Sequence, residues 1–166
     1  MQYISSDTNI WLDFVYISSI DLPFLLPYTY IMFKDAIEDE ILTPKGISKE
    51  LVRKGLVGVD ITDEEWLLAI EYGTKYKRLS RYDRTALAIA KERKIKLLTD
   101  DKALRNAANK DGVAVIGTIG ILDELVTQEH ITKKIYRNCI EELIKQNGDK
   151  IRLPVGELES RLKMPM

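Results

Sequence analysis

Short apolar runs alternate with longer stretches of helical spacing along this chain, the rhythm of an α/β protein. Gln2 to Ser6 (QYISS) reads as a strand, and after Asp7-Thr8-Asn9 the segment Ile10 to Ile17 has the spacing of a helix. Ser18 to Pro27 carries turn residues, and Tyr28 to Phe33 (YTYIMF) is aromatic and branched enough for a second strand. In the helix that follows, Asp35 and Glu38 have cap-and-N3 spacing, while Glu40 falls three and four positions after Ile37 and Ala36, on the apolar face. Thr62 to Glu65 has the form of a capping box, opening a helix whose inward face is expected to be Trp66, Leu67 and Ile70.

The stretch from Leu79 to Gly120 reads as helix, strand, helix, strand. Its first helix carries Asp83 three, four or seven positions from Leu79, Ala86, Leu87 and Ala90, so the carboxylate belongs to the apolar side. Ser80 and Asp83 also have capping-box spacing, which gives that acid a purely structural role as well. Ile95 to Thr99 reads as a buried parallel strand ending at Asp100-Asp101, and one of these acids suffices to cap the next helix. Val113 to Ile116 is the last expected strand, and Gly117 to Gly120 a tight exit before a helix over 121–126. From Ile131 onward the positions Ile135, Cys139, Leu143 and Ile144 keep helical spacing until Asn147-Gly148, with a short helix after Pro154.

These elements predict a three-layer α/β/α fold with a central, mostly parallel sheet over residues 1–126, and a helical C-terminal extension over 127–166 that packs on the core or on a partner. The length of 166 residues fits one domain. A net charge of −1 leaves any nucleic-acid contact to local patches such as Lys75, Lys77, Arg78, Arg81 and Arg84. The single cysteine, Cys139, excludes an internal disulfide and a thiolate metal site, and fits a reducing cytoplasm. Neither a secretory leader nor a membrane span is expected. One histidine, His130, lacks the companions that a zinc site or a nucleophilic triad requires.

Four acids are left without a sufficient structural role: Asp7, Glu40, Asp83 and one of Asp100 and Asp101. In a parallel sheet, chemistry is placed at the carboxyl ends of strands, where Asp7 and the Asp100/Asp101 pair fall. Carboxylates brought within about 5 Å repel by roughly 3 kcal/mol per pair at an effective dielectric of 20, so they protonate or they hold a cation. Oxygen-only ligands favour Mg2+ or Mn2+, and such an ion among carboxylates suits attack of water on a phosphoryl group. A phosphatase of the DxD type is disfavoured, because Asp7-Thr8-Asn9 lacks the second acid.

The succession SDTNIWLDF, a strand and helix bearing an acid, LSRYDRTALAIAKERKIKLLTDD and then VAVIGTIGIL resembles a PIN-domain nuclease, in particular the small prokaryotic toxin-type (VapC-like) members, over about residues 1 to 126. The resemblance implies an acidic cluster that binds Mg2+ or Mn2+ and cleaves single-stranded RNA, with Asp7, Asp83 and Asp101 as metal ligands and catalytic residues. The family glutamate follows a strand and precedes an aliphatic residue; both Glu40-Ile41 and Glu50-Leu51 satisfy this. Glu40 is preferred because the 28–33 strand precedes it, whereas Glu50 has Lys54 four residues on, the spacing of a surface pair. Asp100 remains a neighbour able to substitute for Asp101. Thr8, Asn9 and Thr99 are expected to orient the cluster, and Arg81, Arg84 and Lys102 to hold the RNA backbone. The resemblance further implies an antitoxin protein as a partner, with monomer and homodimer both open. The alternative reading is a catalytically inactive PIN-like module that binds RNA or protein.

Overall fold

The computed structural model describes residues 2–163; the last three positions of the expected C-terminal extension lie outside the described residues. β1 (Gln2–Ser6) leads into α1 (Thr8–Tyr16), and a single 3-10 turn precedes β2 (Tyr28–Phe33). Next come α2 (Lys34–Glu40), α3 (Ile47–Lys54), β3 (Val57–Val59) and α4 (Asp63–Lys75). The second half holds α5 (Arg81–Arg93), β4 (Lys96–Leu98), α6 (Lys102–Lys110), β5 (Val115–Ile116) and α7 (Thr118–Thr127), followed by α8 (Lys133–Gln146) and α9 (Val155–Lys163).

The five strands lie in the order β3-β2-β1-β4-β5, and every pairing is parallel. Period-two alternation divides the sheet between two apolar layers. Leu98 joins Ile4, Tyr30 and Met32 under α1, α7 and α8, while Leu97 joins α5 and α6 on the opposite face. On the first face Trp11 stacks on Phe24 at 5.3 Å and meets Tyr30 edge-on at 5.2 Å. On the second, Ala86, Ala88 and Ala90 let α5 come close enough for the Ser5 hydroxyl to reach the Ala86 carbonyl at 2.8 Å. The extension is part of this packing: Tyr136, Cys139, Ile140, Leu143, Ile151, Leu153 and Leu158 are buried in the first apolar cluster. Among the described residues no helix is long and apolar enough to cross a membrane.

The structure corrects several local readings. Residues Trp66, Leu67 and Ile70 are half or more exposed, at 50%, 64% and 54%. Because α4 packs on α5 rather than on the sheet, its inward face is Glu65, Ala69 and Tyr72; the capping box of Thr62 and Glu65 does form. The Asp35–Glu38 cap does not, since β2 passes directly into α2 with Phe33 at the N-cap position and Asp35 already inside the first turn. The Gly117 to Gly120 exit turns out to be the first turn of α7, and β5 is confined to Val115–Ile116.

Candidate active site

The order β3-β2-β1 reverses at β1, so β1 and β4 lie side by side with connections leaving in opposite directions. Such a switch point opens a crevice at the carboxyl ends of the two strands. Register sets what lines it. Ser6 pairs with Leu98, and the Asp7 amide donates to the Leu98 carbonyl at 3.0 Å, which places Asp7 beside Thr99. The Thr99 hydroxyl donates to Asp7 Oδ2 at 2.7 Å and accepts the Asp101 amide at 3.1 Å. One threonine thus ties both strand-end acids in place.

Asp7 does cap α1, taking the Asn9 amide at 3.2 Å. Capping does not neutralise it. Burial to 6% exposure, with the charges of Asp83 and Asp101 added, pushes its carboxyl up to about 7 against the Thr99 and Asn9 hydrogen bonds. The Ser80–Asp83 capping box is present too, with Asp83 Oδ2 accepting the Ser80 amide at 3.1 Å. Asp83 is half-buried, and burial together with the charge of Asp101 raises its pKa as well. Asp101 occupies the N-cap position of α6 yet makes no side-chain capping bond. Asp7, Asp83 and Asp101 therefore repel one another across the crevice.

Glu40 is the last residue of α2 and is exposed, not buried on an apolar face as its spacing suggests, because α2 ends there and the chain turns away at Ile41. It is tied to the residue that follows Asp7: the Thr8 hydroxyl donates to Glu40 Oε1 at 2.7 Å. Glu50 is elsewhere, on α3, with Oε1 3.9 Å from Lys54. Asn9 lies at the rim by its place in α1, and Lys102 opens α6 beside Asp101. Arg84 serves packing, donating Nε–H to the Leu79 carbonyl at 3.0 Å and lying over Gly73 of α4, while Arg81 rests its guanidinium 5.3 Å from the Tyr82 ring.

Asp100 caps the neighbouring helix, not its own. It takes the Thr118 amide at 3.1 Å and the Thr118 hydroxyl at 2.5 Å at the start of α7, in a space that a Cβ at Gly117 would fill. Against it stands Asp13, which the sequence reading passed over. This residue is 8% exposed, and burial plus the Asp100 charge push its carboxyl up to about 8. Burial raises the Asp100 carboxyl too, against the hydrogen bonds from Thr118, so the two facing acids resist carrying two full charges. Asp13 lies three after Ile10 and four before Ile17, so the spacing argument that drew attention to Asp83 applies to it equally.

The donor set is all oxygen, hard and net negative, which matches Mg2+ or Mn2+. Among the described residues, no group of three or more His, Cys, Asp or Glu side chains forms a ready-made metal cage. Mg2+ does not require one, since it keeps several waters and commonly takes one or two carboxylates together with substrate phosphates. Asp7, its carboxyl raised first by burial and further by two like charges, is where a cation would relieve the most strain.

A family model described as a PIN domain matches residues 28–163, more than half of the chain, starting at β2 and running through α9. Comparison with curated proteins and with solved structures finds no match.

Proposed function

Because this chain belongs to the PIN-domain family, whose members are in general nucleases that use divalent metals, we propose that it hydrolyses phosphodiester bonds of single-stranded RNA with Mg2+ or Mn2+. The observation that carries this reading is the mutual repulsion of Asp7, Asp83 and Asp101 in the β1/β4 crevice, which has no structural benefit of its own.

Asp7, Asp83 and Asp101 would hold the ion, which when bound supplies charge neutralisation and a more acidic water. Thr99 fixes the orientation of Asp7 and the backbone of Asp101 through its single hydroxyl. Thr8 steers Glu40 to the open side of the crevice, where an exposed carboxylate can take a proton from attacking water. Asn9 draws its amide onto Asp7 and so stops that carboxylate from rotating away. The Asp13–Asp100 pair, sharing a proton, anchors α1 to α7 behind the site without adding a second full charge. Lys102, adjoining Asp101, offers a cation to the RNA backbone.

The test is incubation of the protein and an Asp7→Asn variant with labelled single-stranded RNA in Mg2+, Mn2+ or EDTA. Cleavage is expected only from the unsubstituted chain with metal present; cleavage that survives both the substitution and the chelator removes the mechanism. RNA bound but never cut would favour the alternative, an inactive PIN-like binding module. The toxin role belongs to the same proposal: expression of the chain is expected to arrest growth in an Asp7-dependent way, relieved by a co-expressed antitoxin protein.

A further inference from the structure

A cleft of about 470 Å³ opens beside the acids, between α1, the start of α6 and the chain linking α8 to α9. Its size is within the range of about 300–1,000 Å³ that small ligands occupy. Its lining holds three acids, Asp13, Asp100 and Asp101, and three cations, Lys102 beside Asp101 at the start of α6 and Lys150 and Arg152 on the linking chain. Those acids repel any polyanion, so the cations in the same lining decide whether one can enter.

The linking chain is well placed to present those cations. Asn147 and Ile151 form a parallel bridge, and the Asn147 side chain both donates to the Leu153 carbonyl at 2.9 Å and accepts the Leu153 amide at 2.8 Å. Gln146 ties the same segment to α1, its Nε2 donating to the Tyr16 carbonyl at 2.5 Å. Ile151 and Leu153 are buried in the core, at 1% and 8% exposure, so the alternate residues Lys150 and Arg152 point outward. Lys150 Nζ lies 5.4 Å from the centre of the Tyr16 ring. Among the described residues neither Lys150, Arg152 nor Lys102 is engaged in an ion pair. Three cations without a carboxylate partner, two of them on a pinned segment, line the cleft next to the proposed site of cleavage.

We propose that this cleft is the channel for the RNA strand adjoining the cut, with Lys150 and Arg152 as phosphate-binding residues supplied by the C-terminal extension. Leu12 and Tyr16 form the apolar side of the cleft, against which an unpaired base can lie, and this favours a single strand over a duplex. The extension then has a role in substrate binding beyond packing. The inference rests on the RNA reading above, but not on cleavage.

Binding is therefore measured apart from chemistry. In the Asp7→Asn background with EDTA, the affinity of a fluorescein-labelled 12-nucleotide single-stranded RNA is read by anisotropy over a range of salt. Lys150→Ala with Arg152→Ala is expected to weaken binding about tenfold and to reduce the slope of log affinity against log salt by about 1.4, two phosphate contacts at roughly 0.7 each. Lys96→Ala with Lys110→Ala, the same loss of charge outside the cleft, is expected to change neither, and melting temperatures check that both pairs fold. In the unsubstituted background, the Lys150/Arg152 pair is expected to raise KM about tenfold with kcat nearly unchanged. Unaltered affinity and salt slope would overturn the proposal, as would no RNA binding at all. A poly-glutamate probe that binds as tightly through the same two cations would overturn it in favour of an acidic protein partner. RNA binding that depends on Lys150 and Arg152, without cleavage by any version, would sink the nuclease reading and leave the channel standing.

Discussion

Replacing Asp7 by Asn is expected to make the metal-free protein more stable. The native carboxyl is 6% exposed and raised from 3.8 to about 7, with burial as the largest cause. A shift of about 3 units corresponds to about 4 kcal/mol of cost for holding the ionised form in the folded state above pH 7. Asn has nearly the same shape, keeps an oxygen for the Asn9 amide, and presents an NH2 to Thr99 Oγ1, so little of that relief is lost in packing. A gain of about 2 kcal/mol after relaxation would raise the melting temperature by roughly 4–8 °C for a chain of this size. The sign with pH follows from linkage. An acid with a raised folded pKa binds its proton more tightly when folded, so its destabilising effect is absent below pH 3.8, grows as pH rises through the window to about 7, and is then constant. Melting in EDTA from pH 5 to 8 should therefore show stability falling in the native chain, with the slope below about pH 7 reduced by up to one proton, about 1.4 kcal/mol per pH unit, in Asp7→Asn and the difference between the two chains level above it. Asp13, raised to about 8, keeps a residual slope in the variant. Added Mg2+ should stabilise the native chain by mass action and the variant far less. An Asp7→Asn protein that melts lower at pH 7.5, with an unchanged pH slope, would refute the claim that this carboxylate is a strained charge awaiting a cation.

Other expectations follow from particular contacts. Glu65 is 1% exposed and receives Arg93 Nε at 2.7 Å and Nη2 at 3.2 Å, so Arg93→Ala strands a buried carboxylate and should cost about 3 kcal/mol in urea unfolding at pH 7. Glu40→Gln should reduce RNA cleavage by about 100-fold, as for loss of a general base, while Glu50→Gln leaves it unchanged; equal effects would contradict the Thr8–Glu40 contact as the guide to the site. Gly117→Ala drives a Cβ into the Asp100 carboxylate, and both the melting temperature and the cleavage rate should fall, whereas Gly112→Ala, which meets no atom within 4 Å but has φ +74°, should affect stability alone.

Much of the order of elements was legible in the sequence because it is local, although α3 and the three-residue edge strand β3 were not expected from it. Five residues of QYISS and six of YTYIMF carry strand chemistry, and the capping boxes at Thr62 and Ser80 set where α4 and α5 begin. Placing Asp7 and Asp101 at strand ends needed no more than that. Which neighbours they meet is a matter of register, and Ser6 opposite Leu98 is a non-local choice made by sheet pairing. The outward face of α4 could not be read from spacing, since Ala69-Tyr72 and Trp66-Ile70 are both apolar and only docking on α5 selects between them. Likewise Asp100 serves a helix eighteen residues away, Asp13 becomes an acid only in name once Asp100 faces it, and Lys150 reaches Tyr16 across 134 positions. Local pattern decided what each segment is; the folding of the chain onto itself decided which charges must live together.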